Sequence, residues 1–284
     1  MAAPAEDISL AMHSERDGRG EPVILLPALS TISTRGEMRP LMRRLAQRFE
    51  AIALDWPAFG TAAKTRHAWT PDDLSAALAT TLAALPEPPA AIVAAGHACA
   101  YALRHCAAHS GAARRLVLIA PTWRGPFPTM LKGRRPPWLE RVRRAVDLPV
   151  LGSLLYRLNV SRPVVARMTR AHVYEDSAFL NDEALAEKAA VMRAKGARHA
   201  SVRFVTGGLD PVESREAFLA LAERADIPIL VVIGAATPPK SRAEMEALAA
   251  LPGVETVRLP HGRLSVHEEF PDAVASAVLA FLAR

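Results

Sequence analysis

The side chains able to do nucleophilic, acid–base or metal chemistry are few and scattered. Cys99 lies in Ala95-Gly-His-Ala-Cys-Ala-Tyr101, at the start of a predicted helix. A helix N-terminus favours a thiolate, so Cys99 is a candidate nucleophile, weighed against a plain role as a small packed residue. His97 stands two residues before it. His105 and His109 are four apart, the spacing of two ligands on one helical face, but no third ligand is nearby and no metal is assigned. Asp55 ends an apolar run, where a buried carboxylate acts as a general base or orders its turn. His261 and His267 lie on either side of Leu264, and either could serve as a displaced base. His267-Glu-Glu269 also suits the start of the last helix, whose positive end attracts acids. No glycine-rich phosphate loop follows a strand and no zinc motif occurs, so no cofactor is expected.

These residues need elements to position them. Short apolar runs lie at 22–29, 51–56, 90–96, 115–120, 228–234 and 254–259. Most are rich in Val, Ile and Leu, as strands buried on both faces are. Helical patterns lie between them, at 35–48, 71–85, 98–109, 213–225, 241–250 and 272–282. Thr70 is a good N-cap, with Asp73 at the capping-box position. The alternation predicts a mostly parallel α/β sheet, with an antiparallel edge strand over 7–14. The rhythm stops between Pro121 and about Ala200, where several helices follow one another. That stretch reads as a cap inserted after a central strand, over the sheet edge where ligands bind in open α/β folds.

Composition agrees. Half of the 284 residues are hydrophobic, and 35 Lys and Arg against 29 Asp and Glu give +6. That excludes a disordered chain and gives no electrostatic case for a nucleic-acid module. Cys99 and Cys106 are seven apart, about 10.5 Å along a helix, too far for a disulfide. The N-terminus carries acids and no apolar block, so it does not read as a signal peptide, and a cytoplasmic location is expected.

The order of motifs resembles the α/β-hydrolase superfamily. Val23–Leu26 followed by Pro27-Ala28 resembles the strand and His-Gly oxyanion segment. Asp55-Trp-Pro-Ala-Phe-Gly60 resembles the D-x-P-G-x-G turn. Ala95-Gly-His-Ala-Cys-Ala-Tyr101 resembles the nucleophile elbow, G-x-S-x-G. Residues 228–237 and 259–271 resemble the segments that carry the acid and the catalytic histidine. The resemblance implies an eight-stranded, mostly parallel sheet flanked by helices, with core segments 1–121 and 202–284 and a helical cap at 122–201. It also implies a triad, and the triad is missing. With Gly96 and Ala100 as the flanking small residues, the nucleophile position falls on Ala98; the acid falls on Thr237 and the base on Leu264. A methyl cannot attack a carbonyl, a hydroxyl cannot offset an imidazolium, and Leu cannot accept a proton.

What survives such losses is backbone. The resemblance puts oxyanion-type donors at the N–H groups of Ala28 or Leu29 and of Cys99. Trp56, His97, Trp123 and Phe127 are the expected pocket lining. The function expected is a member that binds or acts on a small apolar, acyl-type or anionic ligand under the cap by non-standard chemistry. The alternatives are a non-catalytic scaffold and a protein in peripheral contact with membrane. The last rests on Lys132, Arg134, Arg135, Arg141, Arg143 and Arg144, interleaved with Trp138, Leu139, Val142, Ala145 and Val146 on one helical face.

Overall fold

Seven strands form the sheet in the computed structural model, which describes residues 12–176, 179 and 182–284. The chain opens with β1 (His13–Asp17), β2 (Pro22–Leu26), α1 (Arg39–Leu45) and β3 (Glu50–Asp55). It continues through α2 (Pro71–Ala83), β4 (Ala91–Ala95), α3 (Ala98–Ala108) and β5 (Leu116–Ile119). Six helices follow: α4 (Pro126–Met130), α5 (Trp138–Asp147), α6 (Pro149–Asn159), α7 (Arg162–His172), α8 (Asp182–Arg193) and α9 (Ala197–Val205). The alternation resumes with α10 (Arg215–Arg224), β6 (Ile229–Gly234), α11 (Pro239–Ala249) and β7 (Val254–Leu259), then α12 (Val266–Glu269) and α13 (Pro271–Leu282).

The spatial order is β1-β3-β2-β4-β5-β6-β7, antiparallel only between β1 and β3. The count among the described residues is thus seven, not eight. The antiparallel edge is β1, pairing His13 with Asp55; much of the strand expected over 7–14 lies outside the described residues. Successive side chains on a strand point to opposite faces, and the central strands show what that demands of a doubly covered sheet. Ile24, Ile92, Ala94, Leu116, Leu118 and Val231 enter one core, which α2, α3, α10 and α11 cover. Val23, Leu25, Val93, Ala95, Val117 and Val232 enter the other, which α1 and α13 cover. Each fully buried Leu or Ile contributes about 1.5–3 kcal/mol, so apolar residues at every position fix the strands without any alternating pattern.

Local signals set the joints. Thr70 accepts from the Asp73 N–H and the Asp73 carboxylate accepts from Thr70 N–H, a complete capping box at the start of α2. That box is worth about 1 kcal/mol. The Asp55-to-Gly60 turn is tighter: Gly60 has φ +53, and a Cβ there would stand 2.0 Å from Asp55 Oδ1. Only glycine fits a position that is both left-handed and pressed against a carboxylate.

Candidate functional site

The β4-to-α3 turn is where a reactive residue would stand. Such an elbow holds its nucleophile at the tip of a sharp, strained strand-to-helix bend. The left-handed residue there is Gly96, with φ +54. His97 is ordinary helical backbone (φ −69, ψ −23), and Ala98 is already the first residue of α3. The tip is therefore Gly96 rather than Ala98, with Ala94 and Ala98 as the small residues two positions away. The shift has a physical reason. Small residues occupy 94, 96, 98 and 100, so the small-residue rule is met in two registers and only the backbone dihedral separates them. Ala98 is buried helix. A Cβ added to Gly96 would point at Ala28 and stand 3.1 Å from its Cβ. The Ala28 methyl thus crowds the place where a side chain would begin.

The expected backbone donors are only partly available. Ala28 N–H is not free: it donates to Glu37 Oε1 at 2.8 Å. Cys99 N–H donates to Gly96 O at 3.2 Å. Both are corrected, since their hydrogen bonds are spent within the protein. Leu29 N–H and His97 N–H have no acceptor among the described residues. They leave a reduced donor pair beside the turn tip.

Thr237 and Leu264 sit where the acid and base segments were expected, after β6 and between β7 and α12. Thr237 is buried, and its Oγ1 has no partner among the described residues. Leu264 is half-buried and packs against the core on the α3 side of the sheet.

The displaced candidates do not converge. Cys99 is fully buried, its Sγ 3.2 Å from Ala94 O, and burial pushes its thiol far above the ordinary range. A thiol so placed is no nucleophile, and the early position in α3 does not rescue it. Asp55 is fully buried and accepts from Arg35 N at 2.7 Å, the Arg35 guanidinium, Thr61 N at 3.1 Å and Thr61 Oγ1 at 2.6 Å. Its oxygens are occupied, so it clamps a turn and is not a base. His261 is exposed, stacks on Phe270 and lies 3.7 Å from Glu175. His267 is fully buried with neither ring nitrogen hydrogen-bonded, its Nε2 3.7 Å from Glu37 Oε1. The His105 and His109 rings stack at 4.4 Å. No cluster of three or more metal-ligating side chains is found among the described residues.

Of the expected pocket lining, Trp56 is core: it is buried and donates from Nε1 to Pro27 O at 3.0 Å. Trp123 faces elsewhere, stacked on Phe218 and donating to Glu244 Oε2 at 3.0 Å. Phe127 packs against Trp138. The expected basic, amphipathic α5 holds in part. Leu139 and Val146 are buried beneath it, but Arg135 turns inward to Asp210 and Gly207 O.

His97 does meet chemistry, with Asp210, which stands ahead of α10 without capping it. Asp210 is buried, 3.5 Å from His97 Nε2, and accepts from Gly125 N at 2.8 Å and Arg135 at 2.7 Å. The α10 cap is instead Ser214. His97 Nε2 also lies 3.1 Å from Leu209 O, which accepts from the Tyr101 hydroxyl at 2.7 Å. Burial pushes His97 below and Asp210 above its ordinary range, the latter despite His97 and Arg135 pulling it down. Two acceptors at Nε2 put the proton there and leave the Nδ1 lone pair unpartnered. The cluster ties the start of α4, the α4–α5 loop and the segment after α9 to the elbow. Only a long-range contact, invisible in sequence spacing, could have revealed it.

Two clefts open elsewhere, at Ser153–Arg162 with Met192–Arg198, and around Trp69, Arg143 and Arg203. Neither wall includes Ala28, Gly96, Thr237 or Leu264.

The family model described as "Alpha/beta hydrolase family" matches residues 23–277. No curated protein matches the chain. Among solved structures, a thermophilic esterase from Thermogutta terrifontis is 19% identical with a TM-score of 0.69, over 96% of this chain and 93% of that one. An enol-lactonase from Burkholderia xenovorans is 17% identical at a TM-score of 0.70, over 96% of each chain. A hydrolase from Pseudomonas aeruginosa is 21% identical at 0.73, over 96% and 94%. At those identities the likeness is one of fold. The match over residues 23–277, on a mostly parallel sheet with a strand–turn–helix elbow at Gly96, means that this chain belongs to the α/β-hydrolase family.

Proposed function

We propose that this chain is a non-hydrolytic α/β-hydrolase, in which the elbow carries no reactive side chain and the work is done by binding. One observation carries the reading: the turn tip is Gly96, and the Ala28 methyl stands 3.1 Å from where its side chain would begin. Serine chemistry needs an Oγ there, a base to take its proton and an acid to hold the base. Gly96, Leu264 and Thr237 supply none of these. The free N–H groups of Leu29 and His97 support a ligand with a carbonyl or anionic group, and the apolar surroundings support a small acyl-type body. The division into core segments 1–121 and 202–284 with a cap at 122–201 belongs to this proposal. Six consecutive helices between β5 and α10 support it. A cytoplasmic location is part of the same proposal.

A second reading has its own observation. The unpartnered Nδ1 of His97, directly after the turn tip, is a neutral base that could serve cofactor-free proton transfer. One experiment separates the two. The pure protein is incubated with activated esters, epoxides and haloalkanes, and with a fluorophosphonate probe. We expect rates at the uncatalysed background and no label. Turnover abolished by His97→Asn would establish the second reading, and covalent labelling would overturn both.

A further inference from the structure

The helical insertion shows solvent a face that folding does not explain. On α6, Val150, Leu151, Leu154, Leu155 and Leu158 form one stripe at helical spacing, with Val150 83%, Leu154 56% and Leu158 62% exposed. Leu148 before α6 and Val164 and Met168 on α7 are also exposed. Single exposed leucines are ordinary, but a run of this kind marks an interaction surface. The opposite side of α6, with Ser153, Tyr156, Arg157 and Val160, forms a wall of a cleft of about 740 Å³. Arg162, Arg193, Lys195 and Arg198 also line that cleft, and no acid does.

Charge identifies the occupant. From residue 148 to 174 there is no Asp or Glu, while Arg157, Arg167 and Arg170 all fall in that stretch and are exposed. The acids that bound this stretch are engaged: Asp147 pairs with His199 and Arg203, and Glu175 accepts from Gly262 N and lies 3.7 Å from His261. A second copy of this chain is a poor partner, since an isologous contact would set this positive surface against itself. A protruding apolar ridge edged by arginines suits a fluid anionic surface, where leucines enter the acyl boundary and guanidinium groups stay among the headgroups. No described helix is long and apolar enough to cross a membrane, and α6, about 16 Å long, would lie in the plane. We infer that α6 and its arginine surround dock this protein on the surface of an anionic lipid bilayer.

The test is co-sedimentation of the full chain with vesicles of phosphatidylcholine alone or with 30 mol% (about one lipid in three) phosphatidylglycerol. The expected result is binding at least tenfold tighter to the anionic vesicles, weakened by 0.5 M salt (order of magnitude, about a 4 Å screening length). Leu154→Glu with Leu158→Glu lies on the exposed stripe and should leave the thermal midpoint unchanged while reducing binding at least tenfold. Arg157→Glu with Arg167→Glu should do the same. Failure to bind anionic vesicles overturns the inference, as does binding that the leucine variants leave intact. A dimer in the unmodified protein that the leucine variants dissociate, without vesicle binding, assigns the face to a second copy instead. Esterase turnover would overturn the non-hydrolytic reading without touching this result, and the two therefore fail separately.

Discussion

Placing a serine at the tip of the elbow should destabilise the protein rather than revive it. In Gly96→Ser two costs add. A side chain at φ +54 costs about 1–2 kcal/mol from the clash of Cβ with the following carbonyl. Its Cβ then meets Ala28 Cβ at 3.1 Å, and forcing an extra group into a packed contact costs about 1–3 kcal/mol. The sum, about 2–5 kcal/mol, is a large part of the stability of a natural domain. Ala28→Gly alone loses a methyl and stiffens nothing, at about 1–2 kcal/mol. Combined, the two should cost less than their sum, because the glycine removes the contact and leaves only the backbone term. The coupling energy should be about 1–3 kcal/mol in favour of the pair. Urea unfolding of the four proteins, followed by tryptophan fluorescence, measures it. Additivity within about 0.5 kcal/mol would refute the placement of the tip at Gly96. So would a Gly96→Ser protein as stable as its parent. The double variant should still resist fluorophosphonate, since Leu264 cannot take the serine proton.

Three other outcomes follow from burial and charge. A disulfide reagent should find no reactive thiol in the native protein and two after denaturation, because Cys99 and Cys106 are buried and burial pushes the Cys106 thiol up to about 12. Fast native labelling would contradict the packing of α3. Burial lowers His105 from 6.5 to about 4, with His109 adding repulsion, so the unfolded chain binds the proton more tightly than the folded one. The associated stability is complete above pH 6.5 and lost as pH falls toward 4; His105→Gln should flatten that part of a stability–pH profile. Burial alone would raise the Glu244 carboxyl, but Arg215, Trp123 and Arg124 outweigh it and hold it below 4.5. Its contribution is present above pH 4.5 and lost as pH falls through the lowered value, and Glu244→Ala, which leaves Trp123 Nε1 and Arg124 unpartnered beside the more exposed Arg215, should cost about 1–3 kcal/mol in chemical denaturation.

The contrast between what was legible and what was not has a physical basis. Strands buried on both faces must be apolar at every position, so β2, β4, β5 and β6 announce themselves as unbroken runs, and the Thr70–Asp73 box announces α2. Properties held in a few neighbouring residues can be read from neighbouring residues. The roles of Asp210 and Glu37 cannot. Asp210 is 113 positions from His97 and is defined by Gly125 and Arg135 as much as by its own neighbours. Glu37 matters because it captures the N–H of Ala28, nine residues away across a loop. The elbow lies between these extremes. Its segment is legible in the sequence, but alternating small residues at 94, 96, 98 and 100 satisfy the rule for a tight turn twice over, and the sign of φ is not written in that pattern. The chemical conclusion survives the ambiguity because it does not depend on the register. Ala98 offers a methyl and Gly96 offers nothing, so neither turn presents an atom able to attack a carbonyl. The two registers differ in what they say about Ala28. Only with Gly96 at the tip does an alanine in the oxyanion segment become a reciprocal exchange, the methyl moved from one side of the contact to the other, and the pair then has to be reversed together.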